Sequence, residues 1–177
     1  MAQEYGLSPV LLDRLKPWLA EITVSAGAYR RAGGDANSGV EKTLAASAIQ
    51  AERHAFETPA EQIAMLAQGT EPEQIVSLSE TLHELEDEPD EYHTLIDAWI
   101  AGDMAALDQE ALAPIRKSSP ELVRRLVSER NARWTQVLDQ RMKGQGVAVV
   151  VVGVGHLIGP DGVPARLRAL GYSVVGP

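Results

Sequence analysis

Cysteine is absent from the 177 residues, which excludes disulfide bridges and thiolate metal centres. It does not fix the compartment, because exported proteins without cysteine are common. Aromatic residues are scarce at 5%, with a single Phe, so the core must be built from Leu, Val, Ile and Ala. Basic residues are outnumbered, 16 Lys and Arg against 25 Asp and Glu, for a net charge of -9. That balance argues against a nucleic-acid partner, which needs clustered positive charge. No apolar run approaches the ~20 residues of a membrane-spanning helix. The opening MAQEYGLSPV has neither the basic nor the apolar region of an export signal, so the chain as it stands carries no targeting segment. What is present, 45% hydrophobic and 23% charged residues, is the composition of an ordinary globular protein.

The most informative stretch is VAVVVVGVGHLIGPDGV, Val147 to Val163. Six consecutive apolar residues without in-out alternation predict a strand covered on both faces. Gly153, Gly155 and Gly159 then give a turn that presents His156. A helix through Leu167 closes at Gly171, and Tyr172 to Val175 reads as a second strand. The expected fold class is therefore α/β: a C-terminal βαβ unit of a small, mostly parallel sheet, helix-rich overall. In such sheets ligands bind at the C-terminal ends of strands, where His156 would sit.

The rest of the chain reads as helix. Ser8-Pro9 is a helix start, and Leu11, Leu15, Trp18 and Leu19 form a stripe that continues through Ile22 and Val24. Residues 31–39 (RAGGDANSG) are a loop by composition. Glu41 opens a short amphipathic segment, as a first-turn acid that complements the helix dipole or as a ligand. His54 to Thr58 suggests a short strand, after which Thr58-Pro59-Ala60-Glu61 is a capping box. Glu57 precedes that helix, either in solvent or facing the crevice of His156. A second capping box, Thr70 to Glu73, begins a helical insert expected over residues 70–113, with a stop at Pro89. The acidic run Glu84 to Glu91 is a solvated face, and His54, His83 and His93 suggest surface or packing roles.

Ser118-Ser119-Pro120-Glu121 starts the longest helix, which runs to Lys143. Its apolar face (Val123, Leu126, Val127, Trp134, Val137, Leu138) also contains Arg130 and Asn131. A guanidinium there must snorkel, pair with an acid, or hold an anion in the crevice.

Two good strands fall short of the four to six of a covered parallel sheet. Either the segments near Ile22 and Ala55 are strands, or a second copy completes the sheet as a homodimer, or the chain is the later part of a larger domain. The glycine turn itself is GxGxxxG, one residue off a dinucleotide fingerprint and lacking the ribose-binding acid. No GxSxG elbow is present for a serine hydrolase. One histidine by itself is no metal centre.

Gly153-Val154-Gly155-His156-Leu157-Ile158-Gly159, Gly162-Val163, Leu167 and Gly171-Tyr172 resemble the C-terminal signature of the TraB/GumN (TIKI-like) family. Glu129-Arg130-Asn131-Ala132-Arg133-Trp134 resembles its Arg-Asn helix, and Gly39-Val40-Glu41 and Phe56-Glu57-Thr58 its acid-bearing segments. The likeness spans Gly6 to Pro177, as one domain over 1–177. It implies a metal-dependent peptidase or related hydrolase, with a divalent ion on His156, Glu57 and Glu41. It further implies His156, Glu57 and Arg130 in catalysis and Arg130, Asn131, Gly153 and Gly155 around a peptide or small-molecule substrate. It also allows an exported bacterial protein whose leader has been removed. The family's first Gly-x-x-His motif, expected ahead of Gly6, is missing, so the resemblance implies a fragment or short form with little activity alone. The alternative is a non-catalytic module that binds an anion, a peptide terminus or, as in the related ChaN-like proteins, haem, or that dimerises.

Overall fold

The computed structural model describes residues 2–87 and 91–176, and these form two compact units. The first comprises Met1–Arg53 and Glu57–His93, the second His54–Phe56 and Thr94–Pro177. The helices used below are α1 (Pro17–Arg31), α2 (Val40–Ser47), α3 (Pro59–Leu66), α4 (Glu71–Asp87), α5 (Glu91–Ala101), α6 (Glu129–Met142) and α7 (Val163–Ala169). Among the described residues no helix is long and apolar enough to cross a membrane.

In the first unit α1 packs on α4. The helix expected from Ser8 is broken in two, because the segment Pro9–Leu12 ends before Lys16-Pro17 starts α1 afresh. A proline at the first helical position is favourable, whereas one further along would cost an internal hydrogen bond. Both capping signals at Thr58 and Thr70 operate. Thr58 accepts from the Glu61 N–H while Glu61 accepts from the Thr58 N–H at 2.7 Å, and Glu73 accepts from the Thr70 N–H at 2.7 Å. The expected stop at Pro89 lies outside the described residues.

Between α1 and α4 lies a half-buried acid. Glu21 accepts hydrogen bonds from the Ser77 hydroxyl at 3.0 Å and the Thr81 hydroxyl at 3.4 Å. Burial raises its pKa above the usual carboxylate range; the two hydroxyls pull it back, and Glu84 and Glu80 add to the rise. A carboxyl that binds its proton more tightly when folded costs stability as pH rises through the folded pKa. Glu21→Gln keeps the hydrogen bonds and removes the charge, so its Tm at pH 7 should exceed the wild type's by about 2 °C, an advantage that shrinks towards pH 4. Calorimetric scans at both pH values check this; an equal or lower Tm at pH 7 refutes it.

The second unit is organised around Ala98, Leu107, Leu112 and Ile158, with Leu95, Met104, Val127 and Val154 packed against them. The long C-terminal helix is continuous but not uniform. Pro120–Val123 passes into a π turn, Arg124–Ser128, before α6. A second π turn, Asp108–Leu112, packs against the 3-10 turn Val154–His156. Gly159 has φ +71, a left-handed conformation that favours glycine, and Gly171 (φ +91) follows the end of α7 as expected.

The α/β expectation is corrected here. Among the described residues there is no strand and no sheet, and the architecture is helical with irregular connections. Residues 147–153 and 172–176 adopt neither helix nor ladder, Ile22 lies inside α1, and Ala55 is in an irregular stretch. The physical reason is pairing. A strand exists only when a neighbour supplies its N–H and C=O partners, and an apolar run carries no such neighbour in itself. The side chains report the same outcome, since Val147 is 92% exposed and Val149 77%. Within the second unit, α6 and α7 flank the run and leave a cavity of about 500 Å³ lined by Leu138, Val150, Val152, Val163, Leu167 and Val174.

Candidate functional site

Helix α6 carries the site because its rows repeat every four residues. Arg130 and Trp134 stand on one row, Asn131 and Thr135 on the next. The Trp134 indole is buried, stacked on Phe56 (centroids 5.0 Å apart, planes at 15°) and tilted against the His156 ring at 4.4 Å. The Arg130 guanidinium lies over the same indole, its Cζ 4.6 Å from the ring centroid. Such a cation–π contact is worth about 1 kcal/mol when partly desolvated. The guanidinium is thereby held in place: Nη1 donates to the Leu126 carbonyl at 3.1 Å and stands 3.2 Å from His156 Nε2.

Asn131 is wholly buried. Its side-chain Nδ2 donates to the Asp161 carbonyl at 2.9 Å, and its Oδ1 stands 2.7 Å from His156 Nδ1. The loop after His156 is tied to the helix a second time through Asp161. That carboxylate accepts from the Ser128 hydroxyl at 2.9 Å and from Arg166 Nη2 at 2.7 Å. Below the site, Arg116 holds Asp108 through two hydrogen bonds, at 3.0 and 2.6 Å, beside Gly159. Thr135 returns its hydroxyl to the Asn131 carbonyl at 2.6 Å, a back-bond within the helix.

Of the residues singled out from sequence, His156, Arg130 and Asn131 meet within hydrogen-bonding distance. Gly153 precedes the 3-10 turn and its carbonyl accepts from the His156 N–H at 2.9 Å. A Cβ at Gly155 would lie 3.5 Å from Leu112 Cδ2, so that glycine is the close-packing surface of the turn. Glu57 and Glu41 belong to the first unit. Glu57 is half-buried just ahead of the Thr58 cap, and Glu41 is an exposed first-turn acid of α2 whose carboxylate folds back over Gly39. Three contributors were not singled out: Trp134 as the wall shared by Arg130 and His156, Asp161 as a backbone acceptor, and Phe56 as a ring against the indole. Only Trp134 left a trace in sequence, four residues after an arginine that sits on an apolar stripe.

Chemically, the second unit brings together a fixed cation, an imidazole and two hydrogen-bonding amide or carbonyl groups. Among the described residues no group of three or more His, Asp and Glu side chains converges as a metal-binding set. A guanidinium faces His156 Nε2, the atom a metal would need. Within the second unit, the donor set with a guanidinium at His156 Nε2 does not fit a metal ion.

The model of the TraB/PrgY/gumN family matches residues 1–175, essentially the whole chain. No curated protein and no solved structure matches.

Proposed function

From the premise that this chain belongs to the TraB/PrgY/gumN family, we propose that it binds a small anionic ligand, a carboxylate such as a peptide terminus, at Arg130 beside His156. The observation that carries this reading is the guanidinium stacked on Trp134 and aimed at the imidazole. Arginine is the side chain suited to carboxylates because its planar fork matches two oxygens, and an aromatic face beneath it reduces the ordering cost of binding. Half-burial strengthens the attraction relative to open water.

The reading is tested with N-acetylglycine and its uncharged methyl ester by titration calorimetry. The acid should bind, the ester should not, and Arg130→Ala should weaken the acid at least tenfold, ~1.4 kcal/mol. Unchanged affinity in the variant removes the proposal.

A second reading is the metal-dependent, peptidase-like hydrolase implied by the sequence resemblance. One observation favours it: His156 Nδ1 is engaged by Asn131, the outer hydrogen bond that metal-ligating histidines use to orient the ring. This reading requires Arg130 to leave Nε2. Titration of zinc, manganese and cobalt into wild type and His156→Ala separates the two, since only the hydrolase reading needs a metal affinity that the variant loses.

A further inference from the structure

The face of α6 that carries Trp134 continues towards the helix C-terminus. Trp134, Leu138 and Arg141 recur at intervals of four and three, so they share one side of the helix, and all three line the cavity of about 500 Å³ beside the apolar run. Val163 and Leu167, four apart on α7, form a second wall. Ala148, Val150 and Val152, alternate residues of the run, form a third, while Val147 and Val149 stand out in solvent. Among the described residues lining the cavity, Arg141 alone is charged.

That guanidinium is placed by a glycine turn. Gly146 has φ +88, a conformation that favours glycine, and Arg141 Nη1 donates to the Gln145 carbonyl within the turn at 2.9 Å. The acid two positions earlier on α6, Asp139, is engaged by Lys143 and by the Tyr172 hydroxyl. Among the described residues Arg141 makes no ion pair with a carboxylate, and no acid lines the cavity. Apolar walls with one uncompensated cation match a ligand that is apolar for most of its length and anionic at one end.

We propose that this cavity binds a fatty acid of about a dozen carbons, its tail among Leu138, Val150 and Leu167 and its carboxylate at Arg141. A cavity of about 150 Å³ accommodates benzene, so the space here suffices for such a tail. The two ends contribute unequally. Each methylene taken out of water strengthens binding roughly fourfold. Arg141 is exposed, so the ion pair contributes only about fivefold. Tail length therefore sets the affinity, and the guanidinium sets the sign of the head group. The inference does not rest on the carboxylate reading at Arg130.

The test titrates the full chain at pH 8 by calorimetry with sodium dodecanoate, sodium octanoate and dodecyltrimethylammonium, each below its aggregation concentration. One dodecanoate per chain is expected, with octanoate at least tenfold weaker. The cationic amphiphile should bind at least fivefold more weakly, although the chain's net charge of -9 favours it. Arg141→Gln should weaken dodecanoate about fivefold, and Arg141→Lys should restore most of the loss. Val150→Trp fills the cavity from a position 44% exposed, where the fold tolerates bulk, and should cost at least tenfold. Circular dichroism checks that each variant is folded. Absent or unsaturable binding, equal affinity for the two acids or for the cation, or unchanged affinity in Val150→Trp overturns the proposal. So does a loss in Arg130→Ala without one in Arg141→Gln, which would seat the acid beside His156 instead.

Discussion

Trp134→Ala should lower the stability of the second unit by about 3–5 kcal/mol, as expected for removal of a buried indole. Domains of this kind have about 5–15 kcal/mol in total, so the variant should unfold at markedly lower urea. Trp134 is 5% exposed and touches three groups at once: Phe56 by stacking, His156 by a tilted ring contact, and Arg130 through its face. Truncation leaves a cavity against α6 and frees both functional side chains from their support. The conservative variant is informative because the indole N–H is buried without a hydrogen-bond partner. Trp134→Phe loses area but also discards that unpaired donor, whose burial costs about 1–3 kcal/mol. Its net destabilisation should therefore be small, about 1 kcal/mol. Urea titrations followed by circular dichroism compare the two; equal midpoints for Ala and Phe would show that the ring stack contributes nothing.

The second large effect is expected at Gly162, the residue that precedes α7. Its φ of -60 is ordinary, so backbone strain is not the issue. Space is the issue. A Cβ there would stand 2.7 Å from the Ile158 carbonyl oxygen and 2.9 Å from that of Leu157, both main-chain atoms that cannot rotate aside. Gly162→Ala must displace the loop, at about 2–3 kcal/mol for forced overpacking. The displaced loop includes Asp161, whose carbonyl orients Asn131, so the placement of Asn131 beside His156 should loosen together with stability. Gly153→Ala is the control, since its added Cβ would find nothing nearer than His156 Cδ2 at 4.0 Å. Thermal melts of the two variants check the contrast. Similar melting temperatures would refute it.

At the chain's end, Tyr172 shows how side chains take over where a backbone ladder is missing. Its hydroxyl donates to the Asp139 carboxylate at 2.7 Å. Asp139 also accepts from Lys143 at 2.6 Å, and these two bonds, Lys143 first, hold its pKa below the usual carboxylate range. Tyr172 is shifted upward by the same carboxylate. The segment expected to be a strand is thus anchored to α6 by a hydroxyl.

Much of the helical layout was legible in the residues themselves. The capping boxes at Thr58 and Thr70, the helix start at Ser8-Pro9, the helix containing Arg130 and Asn131, and the stop at Gly171 all depend on groups within about four positions of one another. The prominence of His156 was legible too, because glycines on both sides of a histidine after an apolar run signal a tight turn. The sheet was misread for a reason of the same kind. The run from Val147 to Val152 specifies apolar side chains, but pairing is a relation with another segment, and no local signal states that the partner is there. Tertiary structure alone decided that Asn131, 25 positions away in the chain, would face the imidazole through its oxygen, and that Trp134 would be the wall between Arg130 and His156. Short-range hydrogen bonding and side-chain periodicity are properties of neighbours along the chain, whereas the groups around the His156 ring are whichever ones folding brings there from distant positions.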